Sequence, residues 1–237
     1  MKAVIIAAGE GTRLRPLTLE KPKPLIEIAG KPLIQHIWEI LPEEIDEVIL
    51  VVGYKSAMIR AFIGDNFLGK HVVYVEQKEF LGTGHALRLC QKYLKNEKKF
   101  LVMYADDLHS REGIKGVLKF DCALMVSPVA DPHRFGIVVK KENGTILDIE
   151  EKPEHPKSNL AVTGVYVLTP KIFNYYPKTP GSKGEYYLTD MIKNYIKDFE
   201  CRAVESDFWI PIGYPEDLVR AEKILNKLSA SGKNAIL

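Results

Sequence analysis

The sequence predicts an α/β protein with an open, mixed, mainly parallel sheet flanked by helices, and three observations carry that expectation. Ala3–Ala7, Val48–Val52 and Phe100–Tyr104 are apolar runs of strand length without polar alternation, the pattern of parallel strands buried on both faces. Segments at helical spacing separate them. The first run passes directly into a small-residue loop, Ala8-Gly9-Glu10-Gly11-Thr12, and in open parallel sheets ligands gather beyond the carboxyl ends of the strands. Together these features give a Rossmann-like arrangement with Ala3–Ala7 as a central strand.

The remaining elements follow in order. Pro32 suits the first turn of a helix reaching Leu41, where Pro42 stops it. A second helix is expected over Ala57–Ile63 and a strand over His71–Glu76. From Gly84 onward, Ala86, Leu89, Cys90, Tyr93 and Leu94 fall on one helical face. Past Asp121 the runs become longer and strand-like, at Cys122–Val129, Gly136–Lys140, Ile146–Glu150 and Val162–Leu168. Asn143-Gly144 marks a hairpin between the second and third of these. Thr169-Pro170 and Leu188-Thr189-Asp190 are helix starts, and Tyr214-Pro215-Glu216-Asp217 opens a last helix with Leu218, Ala221, Leu225 and Leu228 along one face. The polar tail Ser229–Lys233 is expected to fray. No repeat or linker interrupts the chain, so a single domain over 1–237 is expected, with two lobes over about 1–120 and about 121–237.

Composition narrows the function classes. At 237 residues and 46% hydrophobic content the chain can bury a sizeable core. Its net charge of +2 and lack of a long basic run disfavour a nucleic-acid partner. Cys90, Cys122 and Cys201 are far apart in the sequence and lie in regular segments, which predicts reduced, buried thiols. The six histidines show no metal-ligand spacing, which disfavours zinc. No signal peptide precedes Met1 and no apolar stretch approaches membrane-spanning length, so the expected location is cytoplasmic, with no membrane partner.

The loop after the first strand invites a polyphosphate. Small residues leave backbone N–H groups uncovered, and Arg13, Arg15, Lys21 and Lys23 supply charge behind them. Neither the dinucleotide fingerprint nor the P-loop fits: Leu14 replaces the third glycine of the former, and no Gly-Lys-Ser/Thr follows. Asp106 and Asp107 follow Phe100–Tyr104 at a strand end, where an aspartate can hold a metal or merely cap a turn. Leu81-Gly82-Thr83-Gly84 reads as a helix entry with Thr83 as its cap. His85, His109 and His133 are expected to pack or cap rather than act as bases. Glu150-Glu151-Lys152 reads by itself as a solvated charge cluster, and Pro153 after it predicts an extended exit.

The motif A-A-G-x-G-T-R-L, with Lys23 in K-P-K-P-L, resembles the signature of the sugar-1-phosphate nucleotidyltransferases. That resemblance implies the nucleotide-diphospho-sugar transferase fold and transfer of a nucleotidyl group from an NTP to a sugar-1-phosphate, with Mg²⁺ and pyrophosphate release. It implies that Ala8, Gly9, Gly11, Thr12 and Arg13 cradle the triphosphate, and that Arg13, Lys23 and Lys152 handle charge in catalysis. Y-A-D-D-L resembles the family's G-D-N segment, which makes Asp106 the metal ligand. E-Q-x-x-x-L-G-T-G-H-A resembles its base-reading segment, in which Gln77 and Gly82 read a pyrimidine edge and favour UTP or dTTP, with Thr83 in the same nucleotide-binding segment. D-P-x-R-F-G-I-V, E-E-K-P and K-G-E-x-x-L-T-D look most like the glucose-1-phosphate thymidylyltransferases. From them Gly136 and Val162 would border the sugar, Glu151 would accept its hydroxyls and Lys152 would hold its phosphate.

The chain departs from the family at one place. W-x-D-x-G, which supplies the second metal carboxylate, reads Trp209-Ile210-Pro211-Ile212-Gly213 here. Asp207 lies four residues earlier, roughly 13 Å along an extended strand. A catalytically silent sugar-nucleotide sensor or regulatory subunit therefore stays open as an alternative, as does cytidylyl or guanylyl transfer to another phosphate. Oligomeric state stays open too, a homo-oligomer included.

Overall fold

The computed structural model describes residues 1–181 and 184–231; Lys183 of the K-G-E segment and the tail beyond Ser231 lie outside the described residues. The first half runs β1 (Lys2–Ala7), α1 (Leu17–Glu20), β2 (Glu27–Ile28), β3 (Lys31–Pro32), α2 (Leu33–Glu39), β4 (Glu47–Val52), α3 (Ser56–Ile63), β5 (Asn66–Phe67), β6 (Lys70–Glu76), α4 (Thr83–Leu89), α5 (Gln91–Leu94), β7 (Phe100–Tyr104), β8 (Asp107–His109) and α6 (Arg111–Leu118). The second half runs β9 (Ala123–Pro128), β10 (Gly136–Lys140), β11 (Ile146–Glu151), β12 (Leu160–Leu168), α7 (Leu188–Tyr195), β13 (Arg202–Glu205), β14 (Trp209–Pro211) and α8 (Pro215–Ala230).

Among the described residues, one ten-stranded sheet crosses both halves in the order β11-β10-β12-β7-β1-β4-β6-β5, with β9 and β13 branching from β12. β1 lies between β4 and β7 and is parallel to both, as the unalternating apolar runs require. β12 turns the sheet mixed by pairing antiparallel to β7, β9 and β10. Alternate residues of the central strands feed two cores. Ala3, Ile5, Ala7, Leu50 and Met103 join the cluster on one face, and Val4, Ile49, Val51, Phe100 and Val102 join the cluster on the other. Such double-sided burial explains why these strands carry no polar alternation. No helix among the described residues is long and apolar enough to cross a membrane.

Several expectations shift in detail. The amphipathic segment after Gly84 is broken at Cys90 into α4 and α5, although Ala86, Cys90 and Leu94 stay buried on one face. Gly82, not Thr83, caps α4; its φ of +94° suits glycine, and a Cβ there would lie 2.6 Å from the Tyr186 carbonyl oxygen. Thr169-Pro170 opens a six-residue 3₁₀ helix rather than an α-helix. α8 stays helical through Ser229 and Ala230, because Ala221 and Leu225 are buried and Asp217 Oδ2 accepts the Gly213 and Tyr214 N–H groups at 2.9 Å. Lys152 turns at φ +44° instead of leaving β11 extended, with its N–H donated to the Phe135 carbonyl at 3.0 Å. α6 is hidden in the sequence by Gly113 and Gly116, and its N-cap is Ser110, whose hydroxyl accepts the Gly113 N–H at 3.0 Å. The three thiols are buried, and Cys122 and Cys201 meet just before the neighbouring strands β9 and β13 with sulfurs 2.7 Å apart.

Candidate functional site

Two clefts open at the carboxyl ends of β1 and β7 and share one wall. The larger, of about 590 Å³, falls in the size range of small-molecule sites and is lined by Gly9, Gly11, Thr12, Arg13, Lys23, Gln77, Gly82, Thr83 and Asp106. After β1 the chain reaches Gly11 at φ +63°, where a Cβ would meet Thr18 Cγ2 at 2.9 Å. A single 3₁₀ turn, Thr12–Leu14, follows; Leu14 is buried beneath it and Arg13 is left exposed at the cleft. Ala8 is buried and its carbonyl accepts the Tyr54 N–H at 3.0 Å, so it supports the loop from behind rather than lining the cleft. Of the four cations after the loop, Arg13 and Lys23 line the cleft, whereas Arg15 pairs with Glu10 at 3.5 Å and Lys21 with Glu27 at 3.3 Å.

Gln77 is buried in the cleft wall, and its amide nitrogen donates to the Gly82 carbonyl at 3.1 Å and lies 3.2 Å from His85 Nδ1. The Thr83 hydroxyl accepts the Leu188 N–H at 3.1 Å, tying the start of α4 to the start of α7.

The smaller cleft, of about 270 Å³, is lined by Arg13, Arg134, Gly136, Glu151, Lys152, Val162, Tyr187 and Thr189 among others. Gly136 on β10 lies directly opposite Glu151 on β11. A Cβ at Gly136 would sit 2.8 Å from Thr189 Cγ2 and 3.1 Å from Glu151 Oε2, so the glycine leaves room for the carboxylate. Glu151 Oε2 accepts the Thr189 hydroxyl at 2.9 Å, and Oε1 lies 3.2 Å from Lys152 Nζ. Gly164 at φ +86° marks the register shift in β12 between Val162 and Tyr166; a Cβ there would meet the Tyr104 ring at 2.8 Å. Tyr104 and Thr83 thereby line both clefts.

Where the clefts meet, the Lys23 ammonium donates to Asp106 Oδ2 at 3.0 Å. Lys23 is only 8% exposed, a burial that a cation tolerates when it is paired. Asp106 Oδ1 is buried without a hydrogen-bond partner among the described residues. An orphaned carboxylate oxygen at the edge of a cleft lined by Arg13 and Lys23 fits Mg²⁺, which binds through one or two carboxylates, waters and substrate phosphates. Among the described residues no group of three or more His, Cys, Asp and Glu could hold a metal unaided. Both Asp107 oxygens are engaged by the protein: Oδ1 accepts the Ile212 N–H at 3.0 Å and Oδ2 the Trp209 indole N–H at 2.9 Å. Burial, and then the neighbouring Asp106 charge, push its carboxyl up to about 7. β14 pairs antiparallel with β8 and sets Pro211 opposite Asp107, so the departure noted in the sequence falls at the cleft itself. Asp207 instead accepts the Ser110 hydroxyl at the start of α6. The ribbon of β8 and β14 was not legible in the sequence; the Trp209-to-Asp107 spacing carries no local signal.

The histidines take supporting places. His133 Nδ1 lies 3.0 Å from the Pro153 carbonyl oxygen. His109 is fully buried with neither ring nitrogen bonded among the described residues, and burial pushes its pKa down from 6.5 to about 4. The unfolded chain then takes up the proton more readily than the folded one, so this contribution is present above pH 6.5 and is lost as pH falls toward 4. His109→Phe is expected to remove that acid limb, reducing the stability lost between neutral pH and pH 4 by roughly 3 kcal/mol. Urea melts at a series of pH values check this, and an unchanged slope in the variant refutes it.

A glycine-shaped cleft and a carboxylate-bearing cleft, joined at a lysine–aspartate pair beyond the ends of parallel strands, make this the nucleotide-diphospho-sugar transferase fold. Residues 2–227 match the nucleotidyl transferase family model. The chain is 38% identical to the bifunctional protein GlmU of Methanocaldococcus jannaschii over 239 residues, all of this chain and 57% of that protein. It is 36% identical to the UTP–glucose-1-phosphate uridylyltransferase AglF of Haloferax volcanii, covering 96% of this chain and 97% of that one. A UDP-glucose pyrophosphorylase solved with UDP-glucose superposes with a TM-score of 0.85 at 28% identity, over 95% of this chain and 98% of that one. The chain belongs to the sugar-1-phosphate nucleotidyltransferase family. It spans little more than half the length of the GlmU relative.

Proposed function

We propose that the protein transfers a nucleotidyl group from dTTP or UTP to a sugar-1-phosphate, with glucose-1-phosphate the favoured acceptor, and releases pyrophosphate. The observation that carries this reading is the Lys23–Asp106 pair at the junction of the two clefts, with Asp106 Oδ1 unpartnered beside it. The acceptor phosphate attacks the α-phosphorus in line as pyrophosphate leaves. A phosphate monoester, with a second pKa of about 6, is already largely ionised at neutral pH and needs no general base. The protein's task is then positioning and charge neutralisation.

Arg13 lines both clefts, where its planar fork suits the departing β- and γ-phosphates. Lys23 steadies charge at the α-phosphate and Lys152 holds the acceptor phosphate. Lys152 Nζ lies beside Glu151 and 5.2 Å from the Tyr187 ring centroid. Glu151, oriented by Thr189, is set to accept sugar hydroxyls. Because the Gln77 amide nitrogen faces both the Gly82 carbonyl and His85 Nδ1, base reading falls to its carbonyl oxygen, which can accept the N3–H of uracil or thymine. Mg²⁺, when bound, would be held by Asp106 and would offset the repulsion between the two phosphates.

A second reading draws on Pro211, which leaves one carboxylate fewer at the cleft: a sugar-nucleotide sensor that binds without turnover. Pyrophosphate release measured with a panel of sugar phosphates against UTP, dTTP, CTP and GTP tests the proposal. Release with a pyrimidine donor and glucose-1-phosphate is the expected result. Binding without release at any Mg²⁺ concentration overturns it in favour of the sensor.

A further inference from the structure

Two arginines converge on one aromatic ring at the edge of the acceptor cleft. The guanidinium carbon of Arg134 lies 4.7 Å from the Tyr214 ring centroid, and that of Arg13 lies 5.4 Å from the same centroid. Arg134 Nη2 and Arg13 Nη1 come within 3.5 and 3.6 Å of the point where a Cβ on Gly213 would stand. A Cβ at 213 would be in ordinary van der Waals contact with both side chains. Among the described residues, no carboxylate forms an ion pair with either arginine.

Glu185 also lines both clefts, and four of the other surrounding carboxylates are committed elsewhere. Asp217 is the nearest, with Oδ2 3.6 Å from the same point, but that oxygen accepts the Gly213 and Tyr214 N–H groups and Oδ1 lies 3.5 Å from Arg220. Glu151 is held by Thr189 and Lys152, Asp106 by Lys23, and Asp107 by Trp209 and Ile212. Pro211, on the strand that leads to Tyr214, contributes no charge to the cleft that Arg13 and Arg134 both line. Like charges drawn together without a counter-ion repel, and an anionic ligand with several acceptor oxygens relieves that repulsion.

We propose that Arg134 is a phosphate-binding residue, held beside Arg13 by stacking on Tyr214 so that its fork grips the phosphate monoester of the acceptor. The inference rests on the transferase reading for its substrate and on the two-arginine geometry for its site. Arg134 enters from the turn before β10 and Lys152 from the turn after β11, so the pairing of those strands carries both cations to the same cleft. Arg13 then stands between donor and acceptor, and Arg134 on the acceptor side only.

The test compares wild type with Arg134→Ala, Arg134→Lys and, as a control for general charge loss, Arg60→Ala, which stacks on Tyr74 away from both clefts. Arg134 is exposed, so thermal midpoints of its variants should stay within a few degrees of wild type. In calorimetric titrations with glucose-1-phosphate and with inorganic phosphate, Arg134→Ala is expected to weaken binding at least tenfold. Arg134→Lys should recover part of that loss and Arg60→Ala should change it less than twofold. In turnover, the acceptor KM should rise at least tenfold in Arg134→Ala while the NTP KM moves less than twofold. Equal affinities in wild type and Arg134→Ala, no binding of either probe by wild type, or a kinetic change confined to NTP and pyrophosphate overturns the assignment. The titrations need no turnover, so an inactive wild type defeats the transferase reading and still leaves the Arg134 site to be judged by binding.

Discussion

Lys23→Ala is expected to lower kcat by about 10²- to 10³-fold, the range lost when a preorganised donor to developing charge is removed. Lys23 is buried, lines the larger cleft and donates at 3.0 Å to Asp106, which lines both clefts. Water entering the vacated space can replace its volume but not its charge. The effect on stability should be small by comparison, because the Asp106 side chain is 40% exposed and solvent screens the pair, holding the loss to about 1 kcal/mol. For a chain of this size that is a fall of a few degrees in thermal midpoint. Arg13→Ala should follow the same pattern, since Arg13 is exposed at the cleft and has no ion pair among the described residues to lose. Steady-state pyrophosphate release paired with thermal melts measures both quantities. A Lys23→Ala enzyme within threefold of wild-type kcat removes Lys23 from the reacting centre.

The adjacent aspartates are expected to fail in opposite ways. Asp106→Asn keeps an acceptor for Lys23 and loses the charge beside the donor cleft, so kcat should fall about 10²-fold or more with little change in thermal midpoint. Calorimetric titration of Mg²⁺ in the presence of nucleotide should show the divalent ion binding more weakly. Asp107→Ala should do the reverse. It strips the Trp209 indole and the Ile212 amide of their acceptor, at about 1–3 kcal/mol for each donor left unsatisfied. The thermal midpoint should drop by several degrees as the β8–β14 ribbon loosens. Equal Mg²⁺ affinity in wild type and Asp106→Asn, or a loss of Mg²⁺ affinity in Asp107→Ala alone, would exchange the roles given to the two residues.

Much of this molecule is legible one segment at a time. The strands at Ala3–Ala7, Val48–Val52 and Phe100–Tyr104 announce themselves because both faces of each are buried, and the structure places all three side by side or one apart in the sheet. The Asn143-Gly144 hairpin is equally local: Gly144 sits at φ +87° and the Asn143 side chain accepts the Thr145 N–H at 3.0 Å. The small-residue loop and its cations are contiguous, so their chemistry can be read directly. Which cations face the cleft cannot. Arg15 and Lys21 have the same charge as Arg13 and Lys23, and only the folded path of the loop, through the 3₁₀ turn Thr12–Leu14 and α1, pairs them with Glu10 and Glu27 instead.

Pro211 marks the same boundary between the two kinds of information. Its identity, and the absence of a carboxylate there, belong to the sequence, and so does the pairing of buried apolar runs with a phosphate-suited loop. That Pro211 stands across a two-stranded ribbon from Asp107, that Asp107 is consumed by Trp209 and Ile212, and that Arg134 joins Arg13 on Tyr214 belong to the tertiary structure alone. The physical reason is range. Apolar periodicity, glycine conformation and turn chemistry act within a few residues, whereas the partners that engage Asp106 and Asp107, Lys23 and Trp209, are brought to them from about a hundred residues away.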